Sequence, residues 1–298
     1  MNSELWWLYD VIAAVIIIAG TALSAKKGLV KSAFHLIGYI LAVVLAFSIS
    51  GSVSGSLYKN TVRSSNIDKL NKSMESDYFM TEFKDYLEGL DYNISVKKEK
   101  LNTIFASGTD VDGQLVKYIN NINGKKADSD SILLRKIHEG YASITKKIVS
   151  RELSKYAAAS AAEILKDTDT NIDDLAPLLS VLEDNHKSAA AYIADNYISQ
   201  AYQTVIRLIV FTILLAVIIL LTVALVKAFT DDESYTSPTS HVIGGIIGIV
   251  HGGIFTFAAT AILRLYAIMG SNEKIFFENS AVDKTYIFKY FYNFIMKM

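Results

Sequence analysis

Four long apolar stretches occur in two pairs, and roughly 150 mostly polar residues separate the pairs. They cover residues 5–25, 32–50, 208–226 and 242–263. A helix needs about 20 apolar residues to cross the hydrocarbon core of a bilayer. Stretch 208–226 is the clearest, because its nineteen residues carry no charge and fifteen of them are Leu, Ile, Val or Phe. The pattern predicts an integral membrane protein.

The predicted fold class is all-α: a four-transmembrane-helix bundle with a helical extracytoplasmic insert between helices 2 and 3. The short link between the first two stretches carries Lys26, Lys27 and Lys31 and no acid. Cytoplasmic loops are enriched in such residues, so the amino terminus, the insert and the carboxyl terminus are predicted outside. The predicted parts are hairpin 1 (1–50), the insert (51–205), hairpin 2 (206–265, spans 207–229 and 242–264) and an aromatic amphipathic tail (266–298).

Composition narrows the functional classes. The net charge of −1 argues against a nucleic-acid partner, and the absence of cysteine excludes disulfides and cysteine-ligated zinc. No catalytic, cofactor or metal motif is recognisable, so no site of these kinds is predicted. The run Asp167, Asp169, Asn171 and Asp173 resembles the start of a calcium loop. The pattern then fails, because Ile172 occupies the position of the turn glycine and Leu178 the position of the bidentate glutamate. A loop with capping side chains is therefore predicted instead.

The insert and the tail show helical periodicity. One apolar face runs from Tyr78 to Leu90 and another from Leu133 to Ile148. Residues 185–229 contain neither Gly nor Pro, which predicts one unbroken helix running into the third span. The aromatic tail suits either a helix in the membrane interface or a helix packed on the insert.

Small residues form a stripe on each of two spans. They are Gly38, Ala42 and Ala46 on the second span and Gly244, Gly248 and Gly252 on the fourth. Such faces let helix backbones approach closely in a bilayer, which predicts two helices packed face to face. A glycine-lined substrate path is the alternative interpretation.

Ionisable residues in the spans are the remaining candidates. His251 lies near the middle of the fourth span, where an ionisable group is a candidate site for protons or substrate; hydrogen bonding to a neighbouring helix is the alternative. His35, near the cytoplasmic end of the second span, is predicted to be interfacial. In the predicted topology Asp10, Arg207 and Arg264 all lie near the outer face, where Asp10 could pair with an arginine or the arginines could extend to the headgroups.

Three places together resemble the colicin V production protein (CvpA) family of bacterial inner-membrane proteins. They are Asp10 at the first span, the turn Lys26-Lys27-Gly28-Leu29-Val30, and segment 242–252 with its three glycines. Where the family usually has basic residues beside this stripe, the chain has His241 and His251. The resemblance implies a multi-pass protein of the bacterial cytoplasmic membrane, linked to toxin production or export and to envelope homeostasis. It supplies no catalytic residue.

Two functional hypotheses follow. The first is a non-enzymatic membrane factor that presents an outward helical domain to the envelope. Its expected partners are the lipid bilayer and either a further copy of the chain or an envelope protein. The second is a small transporter or channel subunit that acts as an oligomer, suggested by His251 and the glycine face.

Overall fold

The computed structural model describes residues 6–74, 77–180, 186–230, 237–269 and 279–297. All regular secondary structure in these ranges is helical, as the sequence predicts. The α-helices are α1 (Trp7–Leu57), α2 (Arg63–Ser73), α3 (Tyr78–Glu88), α4 (Lys98–Ser107), α5 (Val111–Ile122), α6 (Asp130–Glu152), α7 (Lys155–Lys166), α8 (Ala176–Leu179), α9 (His186–Ile193), α10 (Ser199–Phe229), α11 (Pro238–Met269), α12 (Asn279–Asp283) and α13 (Phe288–Met296). Two π-helices, Tyr58–Val62 and Ala194–Ile198, join α1 to α2 and α9 to α10.

Among the described residues, three helices are long and apolar enough to cross a membrane. They are Trp7–Ser73, Lys187–Phe229 and Pro238–Met269, with mean hydropathies of 2.2, 3.3 and 2.0 in their most apolar windows. Large apolar side chains along them are exposed, including Ile18 at 66% and Leu220 at 69%. An exposed surface of this composition matches a lipid environment and would be unusual in water.

Gly28 interrupts the first of these helices. Its φ of 75° and ψ of −179° are not helical and favour glycine, which lacks the Cβ that makes positive φ costly. The Oγ of Ser32 donates to the carbonyl of Ser24 at 2.8 Å, although eight residues of straight helix would separate them by about 12 Å. We call residues 7–27 the first arm of α1 and residues 29–57 the second arm.

The chain divides into two compact units. The hydrophobic unit comprises Met1–Ser56 and Thr204–Met298, and the insert unit comprises Leu57–Gln203. For comparison, the sequence places the insert at 51–205. The helix predicted over 185–229 is continuous from Lys187 to Phe229 and contains the π-helical turn Ala194–Ile198.

In the hydrophobic unit, α11 packs on the first arm of α1 and α10 on the second arm. Gly20 of the first arm lies against the backbone of Gly252 in α11, and Gly38 of the second arm lies against Thr222 in α10. Ala42 and Ala46 of the second arm join a buried apolar cluster with residues of α10, α11 and α13, namely Leu208, Phe211, Leu215, Phe257, Ala261 and Ile295. Small side chains therefore mark the helix contacts, as expected where a bilayer supplies no hydrophobic driving force between helices.

The carboxyl-terminal helix α13 also belongs to the hydrophobic unit. Phe288 and Tyr292 are buried beside Tyr9, and Ile295 is buried in the cluster that contains Ala42. The opposite face exposes Tyr290 at 70%. Helix α13 therefore packs on the apolar helices. The sequence had left two alternatives, a helix in the membrane interface and a helix packed on the insert. Phe276 and Phe277 of the predicted tail lie outside the described residues.

The insert unit has an apolar core formed by its own helices. The rings of Phe79, Phe83, Phe105 and Tyr141 pack against one another at centroid separations of 5.0–6.1 Å, some stacked and some edge-to-face. Serines fix two helix starts, since Ser129 accepts from the amide of Ile132 at α6, and Ser154 caps α7 in the same way. Each such cap contributes about 1 kcal/mol. The two faces expected from periodicity therefore supply much of this core.

The two π-helices face each other inside the insert unit. The hydroxyl of Tyr58 donates to the carbonyl of Ala194 at 2.7 Å. The guanidinium of Arg63 forms two hydrogen bonds of 2.6 Å to the carboxylate of Asp195. A π-helical turn shifts the register of a helix, and here both shifts occur where two long helices contact each other.

Candidate functional site

The glycine face of α11 is filled by the backbone of the first arm. A Cβ added to Gly248 would lie 2.6 Å from the Cα of Thr21, and one added to Gly244 would lie 2.8 Å from the carbonyl oxygen of Ser24. A Cβ on Gly252 would collide with the backbone of Ile17. The residues therefore form a close helix–helix contact, and their face has no room for a solute.

The stripe on the second arm has a different partner. Gly38 is covered by the side chain of Thr222 in α10, and Ala42 and Ala46 are fully buried. The sequence suggested that the two stripes pack face to face. They instead meet different surfaces, because the reversal at Gly28 places the first arm against the glycine face of α11 and Gly38 of the second arm against α10.

His251 is enclosed by both arms of α1. Its Nδ1 lies 2.7 Å from the Oγ of Ser24 in the first arm. Its ring centroid lies 5.0 Å from that of Tyr39 and 6.5 Å from that of His35, both in the second arm. The residue is 3% exposed, and its Nε2 has no hydrogen-bond partner among the described residues. A buried imidazole nitrogen without a partner is uncommon and requires an explanation.

Polar side chains stabilise the turn at Gly28 through hydrogen bonds to its backbone. A helix break leaves backbone carbonyls and amides without intrahelical partners. The Nδ1 of His241 lies 2.7 Å from the carbonyl oxygen of Ala25, and the amide of Leu29 donates to the Oγ of Ser240 at 2.8 Å. The start of α11 therefore satisfies backbone groups on both sides of the turn. Lys26, Lys27 and Lys31 flank it, and the carbonyl of Lys31 lies 2.6 Å from Nδ1 of His35.

Asp10 binds backbone amides. Its carboxylate accepts from the N–H groups of Tyr286, Ile287 and Phe288 at 2.7–2.9 Å. These amides form the amino-terminal end of α13, where the helix dipole favours an anion. Asp10 therefore attaches the carboxyl-terminal helix to the start of α1.

The two arginines suggested as partners of Asp10 contact aromatic or sulfur groups. Arg264 is buried, donates to the sulfur of Met296 and lies 5.8 Å from the ring centroid of Tyr292. Arg207 lies 4.7 Å from the ring centroid of Phe47. Asp10 therefore binds three backbone amides in place of the arginine that the sequence suggested as a possible partner.

A buried titratable cluster lies among the described residues of the insert unit. His138 is fully buried, with Nδ1 2.9 Å from the carbonyl oxygen of Leu165 and Nε2 2.9 Å from a carboxylate oxygen of Asp112. The hydroxyl of Tyr141 donates to the other oxygen of Asp112 at 3.0 Å. Burial opposes charge on His138, but Asp112 and the carbonyls outweigh it and raise the pKa of the imidazole. The cluster joins α5, α6 and the end of α7.

The acidic run in the insert acts as a capping loop. Asp173 accepts from the amides of Asp110 and Val111 at the start of α5, and Asp167 accepts from the amide of Asp169. The part of the chain that the structure describes has no group of three or more His, Cys, Asp or Glu residues able to hold a metal ion. The acidic side chains of this loop bind backbone amides.

Ser24, Ser32, Tyr39 and Asp112 were not singled out from the sequence. Ser24 and Ser32 were visible as small polar residues on either side of a basic turn. Their spacing predicts no contact in a straight helix, however, and only the reversal at Gly28 brings them together. Asp112 gave no signal, because its partner His138 is 26 residues away.

No family model, no curated protein and no solved structure matches the chain. The site combines close backbone packing, a turn held by hydrogen bonds and the buried imidazole of His251.

Proposed function

We propose that the chain is a non-enzymatic integral membrane protein that holds its insert unit at the outer face of a bacterial cytoplasmic membrane. Three long apolar helices support membrane insertion. The reversal at Gly28 supports a count of four spans, since each arm of α1 is long enough to cross the hydrocarbon core. The lysines beside Gly28 support a cytoplasmic position for the turn.

The packing of the glycine face carries this proposal. A transport path along α11 requires open space beside Gly244, Gly248 and Gly252. That space is taken by the backbone of the first arm. A tight helix pair suits a scaffold, because a scaffold must keep its spans in a fixed arrangement while it carries an attached domain.

The cellular role we propose is the one that the resemblance to the CvpA family implies, namely support of toxin production or export and of envelope homeostasis. Asp10, the turn at 26–30 and the glycine face remain the residues that carry this resemblance. In this role the insert unit contacts an envelope partner, while the bundle anchors it.

Ion flux through the full-length chain in proteoliposomes tests the scaffold proposal. We expect proton and potassium permeabilities equal to those of protein-free vesicles, because the glycine face is closed. In a deletion strain of the source bacterium, the chain and its His251→Phe variant should restore envelope integrity equally. Protein-dependent flux that His251→Phe abolishes would overturn the proposal.

A small transporter or channel subunit is the second candidate, and the buried Nε2 of His251 favours it. Polar groups inside a membrane bundle are costly and commonly serve ions or protons. In this case His251→Phe should abolish flux and complementation while the variant still folds, and Ser24→Ala should weaken both. Unchanged complementation by His251→Phe would eliminate this candidate.

A further inference from the structure

We propose that an apolar groove on the hydrophobic unit binds one acyl chain of an anionic phospholipid. The groove lies between the second arm of α1, α11 and α13 and has a volume of about 420 Å³. This volume is within the range of small-molecule sites in proteins. Its walls include Val43, Val250, Gly253, Phe257, Tyr290 and Phe294. The inference rests on the membrane location proposed above and adds a ligand to it.

The groove exists because α11 has a glycine at its floor. A Cβ added to Gly253 would have no other atom within 4 Å, in contrast to the crowded face of Gly248 and Gly252. From Val250 to Phe257 the groove follows α11 for seven residues, or about 10 Å. Its shape is thus a short slot along a membrane helix, which fits part of an extended hydrocarbon chain.

The chemistry of the walls selects an apolar ligand. The wall residues contribute aliphatic and aromatic surface, and Tyr290 is the only one of these described residues with a side-chain hydroxyl. Apolar cavities do not hold water well and accept hydrocarbon instead. The surrounding lipid tails are as apolar as the groove, so burial of apolar surface does not favour the groove over the bilayer. An acyl chain prefers the groove only through close packing with its walls and through contacts of the headgroup.

A basic residue lies beside one wall of the groove. The ammonium of Lys289 lies 5.6 Å from the ring centroid of Tyr290, which lines the groove and is 70% exposed. Tyrosine and lysine commonly occupy the headgroup level of a bilayer. A phosphate beside Lys289 would therefore be attached to an acyl chain that reaches the groove, and this cation favours an anionic lipid.

The competing occupant is a transmembrane helix of a second copy, since a glycine also permits close approach of a backbone. The flanking residues do not favour it: Ile249 and Phe257, four positions on either side of Gly253, are bulky. Helix pairs of this kind need small residues at such a spacing, and α11 has already placed its regular glycines against the first arm. The slot is accordingly better suited to a thin, flexible chain.

Photolabelling tests the site. The full-length chain would be placed in nanodiscs of zwitterionic and anionic phospholipids containing a trace of phosphatidylglycerol with a diazirine on one acyl chain. We expect label on the groove residues, and a loss of about tenfold in Gly253→Phe, because the ring fills the slot. The matched control Ile246→Phe changes a 61%-exposed residue of the same helix and should label the groove like the unchanged chain.

Two further variants separate the remaining outcomes. Lys289→Gln should lower labelling by the phosphatidylglycerol probe and leave labelling by a phosphatidylcholine probe unchanged. The chain has no cysteine, so Gly253→Cys introduces its sole thiol. Efficient oxidation of this variant to a disulfide-linked dimer would overturn the proposal, because it would show that a second copy of the chain occupies the groove. Equal labelling of Gly253→Phe and the unchanged chain would also overturn it. A chain that does not enter nanodiscs would refute the membrane proposal itself, and the lipid site with it.

Discussion

Replacing Gly248 by alanine should separate α11 from the first arm of α1. The added methyl carbon would lie 2.6 Å from the Cα of Thr21 and 2.8 Å from the carbonyl oxygen of Gly20. Carbon atoms in ordinary contact are about 3.5–4.0 Å apart, so the helices must move apart by about 1 Å. Backbone atoms form the obstacle, and no side-chain rotation relieves it.

Gly245→Ala is the matched control on the same helix. Its methyl carbon would lie 3.6 Å from the Cβ of Ala25, an ordinary contact. Both variants gain the same helix propensity, up to about 1 kcal/mol, which cancels in the comparison. Overpacking costs about 1–3 kcal/mol. Gly248→Ala should therefore be less stable than Gly245→Ala by about 1–3 kcal/mol.

A single buried thiol measures this difference. Ala13 of the first arm is fully buried, so Ala13→Cys reports the opening of this arm through its rate of alkylation. Both glycine variants would be made in that background and unfolded in mixed micelles with increasing sodium dodecyl sulfate. Equal unfolding midpoints would refute the close backbone approach on which the scaffold proposal depends.

Two further perturbations address other contacts. Asp10→Ala should weaken the docking of α13 by about 1 kcal/mol and speed amide hydrogen exchange at 286–297. Asp10→Asn should retain most of the protection, because Asn caps helices equally well. Unchanged exchange in Asp10→Ala would contradict this role of Asp10. Because the folded-state pKa of His138 is raised, its contribution to stability is complete below its unfolded pKa of about 6.5 and is lost as pH rises through the higher folded value. The unfolding temperature of the insert unit should fall over that interval, and less so in His138→Gln. An equal pH dependence in the two proteins would show that His138 is not responsible.

The helical class and the apolar helices could be predicted from the sequence because both depend on local periodicity and on hydropathy. Stretch 208–226 needs no tertiary contact to be recognised. The glycines at 244, 248 and 252 likewise indicate close packing by themselves. Their partner could not be predicted, since any helix with small residues offers a similar surface.

The polar contacts could not be predicted, because they depend on the path of the chain. Asp10 lies more than 270 residues from the amides that it binds. An arginine near the same face is the simpler expectation for a carboxylate at a membrane interface. The partners of His251 depend on the reversal at Gly28, which places both arms of α1 around one imidazole.

Membrane topology tests the central claim most directly. The chain has no cysteine, so Lys125→Cys, Ser234→Cys and Lys297→Cys can each be labelled in intact cells without background. We expect a membrane-impermeant maleimide to label positions 125 and 297, which are exposed in their units, and to label position 234 only after permeabilisation. Labelling of position 234 in intact cells, or protection of position 125, would contradict an outward insert unit held by four spans.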